Sequence, residues 1–173
     1  MEGFNGTIFA YGQTSSGKTH TMQGPNIEDP ELQGIIPRMV RTVFARIDSA
    51  AEQMEFTVKI SMIEIYNERI KDLLDPTKDN LGVHQEKGKG IYVRDVTETY
   101  VTNESEVYQV MRLGTSNRSI AATNMNAESS RSHSIFILTV TQSNLEDMSC
   151  KTGKLYLVDL AGSEKIAKTL ATG

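Results

Sequence analysis

Eight residues near the start of the chain, Gly12, Gln13, Thr14, Ser15, Ser16, Gly17, Lys18 and Thr19, have the spacing G-x-x-x-x-G-K-[ST]. The glycines let backbone N–H groups close around phosphate oxygens, and a helix that follows points its positive end at them. The lysine of such a loop reaches the β- and γ-phosphates, and the next hydroxyl coordinates Mg²⁺. Lys18 and Thr19 stand at those two positions. A chance Gly/Ser turn would use the same residue types, but here an apolar run precedes the loop and helical spacing follows it. The chemistry implied is that of a magnesium-dependent nucleoside triphosphatase.

Two further stretches hold residue types that such chemistry needs. Asp159-Leu-Ala-Gly162 ends an apolar run, where an acid can hold a magnesium-bound water while the glycine N–H contacts the γ-phosphate. Alone, this pattern is usually a plain turn, and its weight comes from its pairing with Gly12 to Thr19. Asn126-Ala-Glu-Ser129-Ser130-Arg131-Ser132-His133 gathers an amide, hydroxyls, a guanidinium and an imidazole directly before a strand. Such a loop is either a solvated capping segment or a switch. As a switch, one serine hydroxyl reaches the metal, another positions water, and Arg131 bridges to an acid such as Glu164.

The elements that must position these residues follow from hydrophobic spacing. Thr7 to Tyr11 reads as a buried strand feeding the phosphate loop. Gly24 to Gly34, with Pro25 and Pro30, is a loop between two helical pieces, the second marked by Ile36, Val40, Val43, Phe44 and Ile47. Phe56 to Tyr66 alternates as a strand with one wetter face, closed by Ile70 to Leu74. Lys87-Gly88-Lys89-Gly90 breaks the β-branched stretch from Val83 to Val101 into a small hairpin beside the main sheet. Asn103 caps a helix, Glu106 completes a capping box, and Val107, Val110 and Met111 form its apolar stripe. After the polar stretch Thr115 to His133 come strands at Ile135 to Val140 and Lys154 to Leu160. The alternation predicts an α/β fold: a P-loop NTPase with a largely parallel central sheet flanked by helices, plus an appended hairpin.

Of the 173 residues, 38% are hydrophobic and 23% charged, an ordinary soluble composition without repeats. The single Cys150 has no partner for a disulfide or a cysteine metal site, which fits a reducing compartment and argues against secretion. No apolar run approaches the roughly 18 residues of a membrane span. A net charge of −4 gives no general support for a nucleic acid or other polyanion, so any such contact must be local. The phosphate loop arrives early and the chain stops soon after Asp159-Leu-Ala-Gly162, so a domain incomplete at both ends is expected.

In combination and in this order, the three motifs resemble the kinesin motor domain, most closely that of conventional heavy chains of fungal type. Asn5-Gly-Thr-Ile-Phe-Ala-Tyr11, Gly34-Ile-Ile-Pro37, Glu64-Ile-Tyr66, Asp72-Leu-Leu74 and Ser116-Asn-Arg118 are similar too, so the resemblance covers the whole chain. It implies that residues 1–173 are the central part of one motor domain, without the first strands, the principal microtubule-binding helices and the neck. It also implies ATP as the nucleotide, movement along microtubules, a cytoplasmic and cytoskeletal setting, and a parent dimerised through a coiled coil outside this chain. By resemblance, Thr19 and Ser130 would ligate Mg²⁺ and Asp159 would act through water. Gly162 would sense the γ-phosphate and Arg131 would pair with Glu164, in a switch that also holds Asn126 and Ser129. His20 would lie against the adenine, although a partly exposed helix histidine is an equal reading. After Glu164 the family pattern carries a glycine where Leu170 stands here, and Thr172 follows Ala171, which implies an altered loop.

Microtubules are acidic outside, so contacts should be exposed Lys and Arg. His84 to Arg94 sets Lys87, Lys89 and Arg94 against the single acid Glu86, and it matches the family's tubulin-touching hairpin. Arg69 matches a second basic contact. The plain alternative for both is a solvated charged surface. Two other functions stay open at this level: a GTP-binding switch protein, although no Asn-Lys-x-Asp tetrapeptide occurs, and a nucleotide-binding module without turnover.

Overall fold

Strand β1 (Gly6–Ala10) delivers the chain into the phosphate loop in the computed structural model, which describes residues 3–88, 90–125 and 129–164. A short helix α1 (Lys18–Met22) follows, then a loop and α2 (Ile35–Asp48). The long β2 (Met54–Tyr66) turns through Asn67 and Glu68, both at positive φ (48° and 63°), into β3 (Arg69–Asp72). That pair of left-handed residues makes the tight reversal of a two-residue hairpin. Next come β4 (Val83–Glu86), β5 (Gly90–Val93) and β6 (Thr99–Val101). Helix α3 (Glu104–Met125), a 3-10 turn (Ser129–Arg131), β7 (His133–Asn144) and β8 (Cys150–Asp159) complete the described elements.

The main sheet has six strands in the order β1-β8-β7-β2-β3, with β6 also on β2, while β4 and β5 form the separate hairpin expected from Lys87 to Gly90. The fold is α/β, but the sheet is mixed rather than largely parallel. Among the described strands only β1 and β8 run parallel, and β8-β7, β7-β2, β2-β3 and β2-β6 are all antiparallel. The reason lies between β7 and β8. Five residues, 145–149, join them, and the Asn144 N–H closes the turn on Ser149 O at 2.9 Å. A parallel crossover needs a dozen or more residues.

Alternation along the strands puts Ile60, Phe136 and Leu157 on one face, where they meet Met22, Val40, Phe44, Val107 and Met111 of the three helices in a single buried cluster. Ile36, Val40 and Phe44 of the expected helical stripe are buried in α2. β1 lies at an edge of the described sheet, and its Phe9 is 62% exposed.

Asn103 caps α3 as expected, its side-chain oxygen accepting the Glu106 N–H at 3.0 Å. The Glu106 carboxylate reaches back to the Thr102 N–H at 2.6 Å, one residue before the cap. The helix then runs on to Met125, through residues whose polarity reads as loop. Tertiary contacts hold this second half. Gly114 lies so close to β2 that a Cβ there would meet Met62 Sδ at 2.5 Å, the Asn117 amide donates to Leu73 O at 2.7 Å, and Arg118 reaches Glu64. Polar anchors replace the apolar stripe and leave no hydrophobic period to read. No described helix is long and apolar enough to cross a membrane.

Candidate functional site: a phosphate loop between two switches

The strand-loop-helix order places Gly12 to Thr19 at the carboxyl end of β1. Gly17 takes φ 94°, a left-handed conformation suited to glycine, at the point where the loop enters α1. It offers no side-chain cap, so the first-turn N–H groups face outward from the helix start without one. With only five residues, α1 has little macrodipole, and attraction for phosphate rests on these local groups and on Lys18. Lys18 Nζ donates to Gly12 O and Gln13 O, each at 2.9 Å, which folds the cation onto its own loop.

The segment after β8 is laid across this loop. Leu160 N–H donates to Ala10 O at 3.2 Å, Ala161 N–H to His133 Nδ1 at 3.0 Å, Gly162 N–H to Ser130 O at 2.7 Å and Ser163 N–H to Gly12 O at 3.1 Å. Glu164 then accepts from the Thr14 N–H at 2.9 Å and from the Thr14 hydroxyl. The Thr14 hydroxyl holds the Glu164 carboxyl below the usual carboxylate range, with the backbone donors and the Lys18 charge acting in the same direction. Arg131, expected to bridge to Glu164, is exposed and makes no ion pair with it among the described residues. The carboxylate is instead taken by Thr14, which lies on the loop directly beneath it.

At the end of β8, Asp159 is 7% exposed and accepts a hydrogen bond from the Thr19 hydroxyl at 2.5 Å. Ser130 lies in the 3-10 turn whose carbonyl holds Gly162. The Asp159 carboxylate and the Thr19 hydroxyl are hard oxygen donors and few in number, which fits Mg²⁺, an ion that keeps waters and takes phosphate oxygens for its other positions. The described residues hold no group of three or more His, Cys, Asp and Glu that would instead suit a transition metal. Asn126 lies outside the described residues, and Ser129 contributes the first residue of the 3-10 turn.

The scan against family models matches the kinesin motor domain over residues 1–173. The chain belongs to the kinesin motor family. Among curated relatives, the kinesin heavy chain of Neurospora crassa is 57% identical over all of this chain, which covers 19% of that protein. Kinesin-related protein 3 of Dictyostelium discoideum is 62% identical, again over the whole chain and over 15% of the relative. Kinesin heavy chain isoform 5A of Homo sapiens is 55% identical over the whole chain and 17% of the relative. The chain therefore spans about a fifth or less of the length of these relatives. A solved structure described as that of a fast kinesin superposes with a TM-score of 0.94 at 57% identity, over 99% of this chain and 49% of that one.

One buried cluster of this kinesin chain carries no motif of its own in the sequence. Arg118 of α3 pairs with Glu64 of β2 at 3.2 Å, and its guanidinium also donates to Ser132 Oγ at 3.1 Å and Ser132 O at 3.3 Å. Ser132 Oγ donates to Glu64 at 2.7 Å and is 1% exposed. These three residues fasten the switch loop to the helix before it and to the sheet. The only signal in the sequence was that Arg118 and Glu64 fall in family-like stretches.

On the other side of α1, His20 lines an open cavity of about 320 Å³ with Thr21, Leu32, Gln33 and Arg38. The loop forming its wall is tied to α3, since the Gln33 amide donates to Tyr108 Oη at 3.1 Å and Glu28 pairs with Arg112 at 2.5 Å. Of the basic residues expected at a track, Arg69 is exposed at the start of β3, Lys87 is exposed in the hairpin turn, and Lys89 lies outside the described residues. Arg94 is exposed but sits 3.5 Å from the next residue, Asp95, an acid that lowers the local positive excess.

Proposed function

We propose that the motor containing this chain binds Mg-ATP, hydrolyses it, and couples turnover to movement along microtubules. The observation that carries this reading is the run of four consecutive N–H groups, Leu160 to Ser163, bonded in turn to β1, His133, the switch turn and the phosphate loop. Such a strap gives the three motifs one shared mechanical connection, which is what a nucleotide switch requires.

Lys18, released from the Gly12 and Gln13 carbonyls, would turn to the β- and γ-phosphates. The Gly162 N–H would leave Ser130 O for a γ-phosphate oxygen. Glu164 would exchange Thr14 for Arg131, so that the two switches close around a water held in line with the γ-phosphate, with Ser129 and Asn126 in the same switch. Thr19 and Ser130 would hold Mg²⁺ through their hydroxyls and Asp159 through water. Mg²⁺, when bound, supplies charge neutralisation of the phosphate oxygens. His20, at the wall of its cavity, would lie against adenine. Arg69, Lys87, Lys89 and Arg94 would contact tubulin. The parent would work as a dimer in the cytoplasm, on the cytoskeleton.

Glu164→Ala in the full motor tests the exchange. ATP should still bind while turnover is lost, measured as nucleotide retention beside phosphate release. Turnover at the wild-type rate would remove Glu164 from the closing step.

A further inference from the structure

His133 is the first residue of β7, and its imidazole takes over at the point where the β7-β8 ladder stops. Ser134 is the last β7 residue paired in register, opposite Asp159. Beyond Asp159 the chain leaves the ladder, with Leu160 bonded to Ala10 of β1. The next donor, Ala161 N–H, is satisfied by a side chain, His133 Nδ1 at 3.0 Å, in a part-buried position. The acceptors on either side in this strap are backbone carbonyls: Ala10 before it, and Ser130 and Gly12 after it.

That difference matters because the Nδ1 acceptor can be removed by substitution without changing the backbone that carries it, and it ties residue 161 to the start of β7. His133 is joined through Ser132 to the Arg118–Glu64 pair, which fastens its own backbone to α3 and β2. His133 is also paired with Ile65 of β2, so the imidazole is carried by the sheet, and residue 161 is held to it. Residues 162 to 164, which carry Gly162 and Glu164, begin directly beyond that point. An accepting Nδ1 places the ring proton on Nε2, so the contact selects one tautomer.

We infer that His133 is a positioning residue for the second switch, its Nδ1 pinning Ala161 so that Gly162 to Glu164 turn as a short arm about a fixed origin. This rests on the proposed reading that Gly162 and Glu164 move between the arrangement seen here and one facing the γ-phosphate. Without the pin, the arm is anchored one residue earlier, at the Leu160 bond to Ala10, so it is longer and its closed geometry is populated less often, while the phosphate loop itself is unchanged. The effect should fall on turnover more than on nucleotide affinity.

The test compares His133→Ala and His133→Asn in the full motor, because the Asn carbonyl oxygen presents an acceptor near the position of Nδ1. Microtubule-stimulated kcat of His133→Ala should fall on the order of tenfold with KM for ATP within about twofold, as expected for a lost acceptor to a part-buried N–H. His133→Asn should recover most of that loss. Turnover of His133→Ala within twofold of wild type, or equal loss in both variants, would overturn the inference, the second result assigning the effect to ring packing. Should His133→Ala fail to fold, ¹⁵N spectra of histidine-labelled wild-type motor decide the point: Nδ1 should be unprotonated and coupled to the Ala161 N–H, and a protonated Nδ1 would overturn it. A wild-type motor that hydrolyses no ATP would instead sink the proposed function, and the spectra would still report on the pin.

Discussion

The Thr19 hydroxyl donates to Asp159 Oδ2 across 2.5 Å, joining the start of α1 to the end of β8. The two residues are 140 positions apart in the chain, yet parallel pairing of β1 with β8, Ala10 opposite Asp159, brings both strand ends to one level. A single hydroxyl thus touches the acid that, in the proposed function, lies behind the metal-bound water. Thr19→Ala removes that donor from a carboxylate only 7% exposed. The variant should need on the order of tenfold more Mg²⁺ for half-maximal ATP hydrolysis. An unchanged Mg²⁺ titration would take Thr19 out of the metal site.

The Arg118–Glu64 pair is shielded, with side-chain exposures of 12% and 11%, and Ser132 closes the triangle. Removing one charge from such a pair leaves the other buried without compensation, which costs about 3–5 kcal/mol, whereas replacing both with apolar residues of similar volume is often close to neutral. Arg118→Met should therefore lower stability markedly in denaturant melts of the motor, and Arg118→Met with Glu64→Leu should recover a large part of it. Equal stability of the single variant and wild type would show that the pair does not fasten the switch loop.

The phosphate loop and the hairpin were legible because their determinants are local. The G-x-x-x-x-G-K-T spacing and the Lys87 to Gly90 turn need no partner elsewhere to be recognised. Sheet direction was not legible, because β7 and β8 extend through polar residues on both sides of a turn that carries no Gly or Pro: Asn144-Leu-Glu-Asp-Met-Ser149. The apolar period stops at Val140, so a hairpin of two long strands reads as two short strands separated by a loop. α3 was read only as far as its apolar stripe, since Asn117 and Arg118 hold its second half through Leu73 and Glu64, partners 44 and 54 residues away. The Glu164–Thr14 contact was hidden for the same reason, its members being 150 positions apart.

In the proposed contact with the track, Lys87 and Lys89 should count for more than Arg94, whose charge is offset by Asp95 3.5 Å away. Lys87 is exposed in its turn, and an exposed charge at the rim of an interface is screened by salt. Reversing both lysines to glutamate in the full motor should weaken microtubule affinity several-fold, with the difference growing as salt falls. Arg94→Glu should do less. Co-sedimentation of the double reversal at wild-type level in low salt would remove the hairpin from the interface.

In the proposed function, Lys18 and the strap from Leu160 to Ser163 form a nucleotide switch that works on ATP and answers to microtubules. Phosphate release by the full motor, followed with ATP or GTP and with or without microtubules, tests it most directly, with Lys18→Ala alongside. ATP should be turned over in preference to GTP, microtubules should raise the rate many-fold, and Lys18→Ala should nearly abolish nucleotide binding. Turnover indifferent to microtubules, a preference for GTP, or an active Lys18→Ala would contradict it.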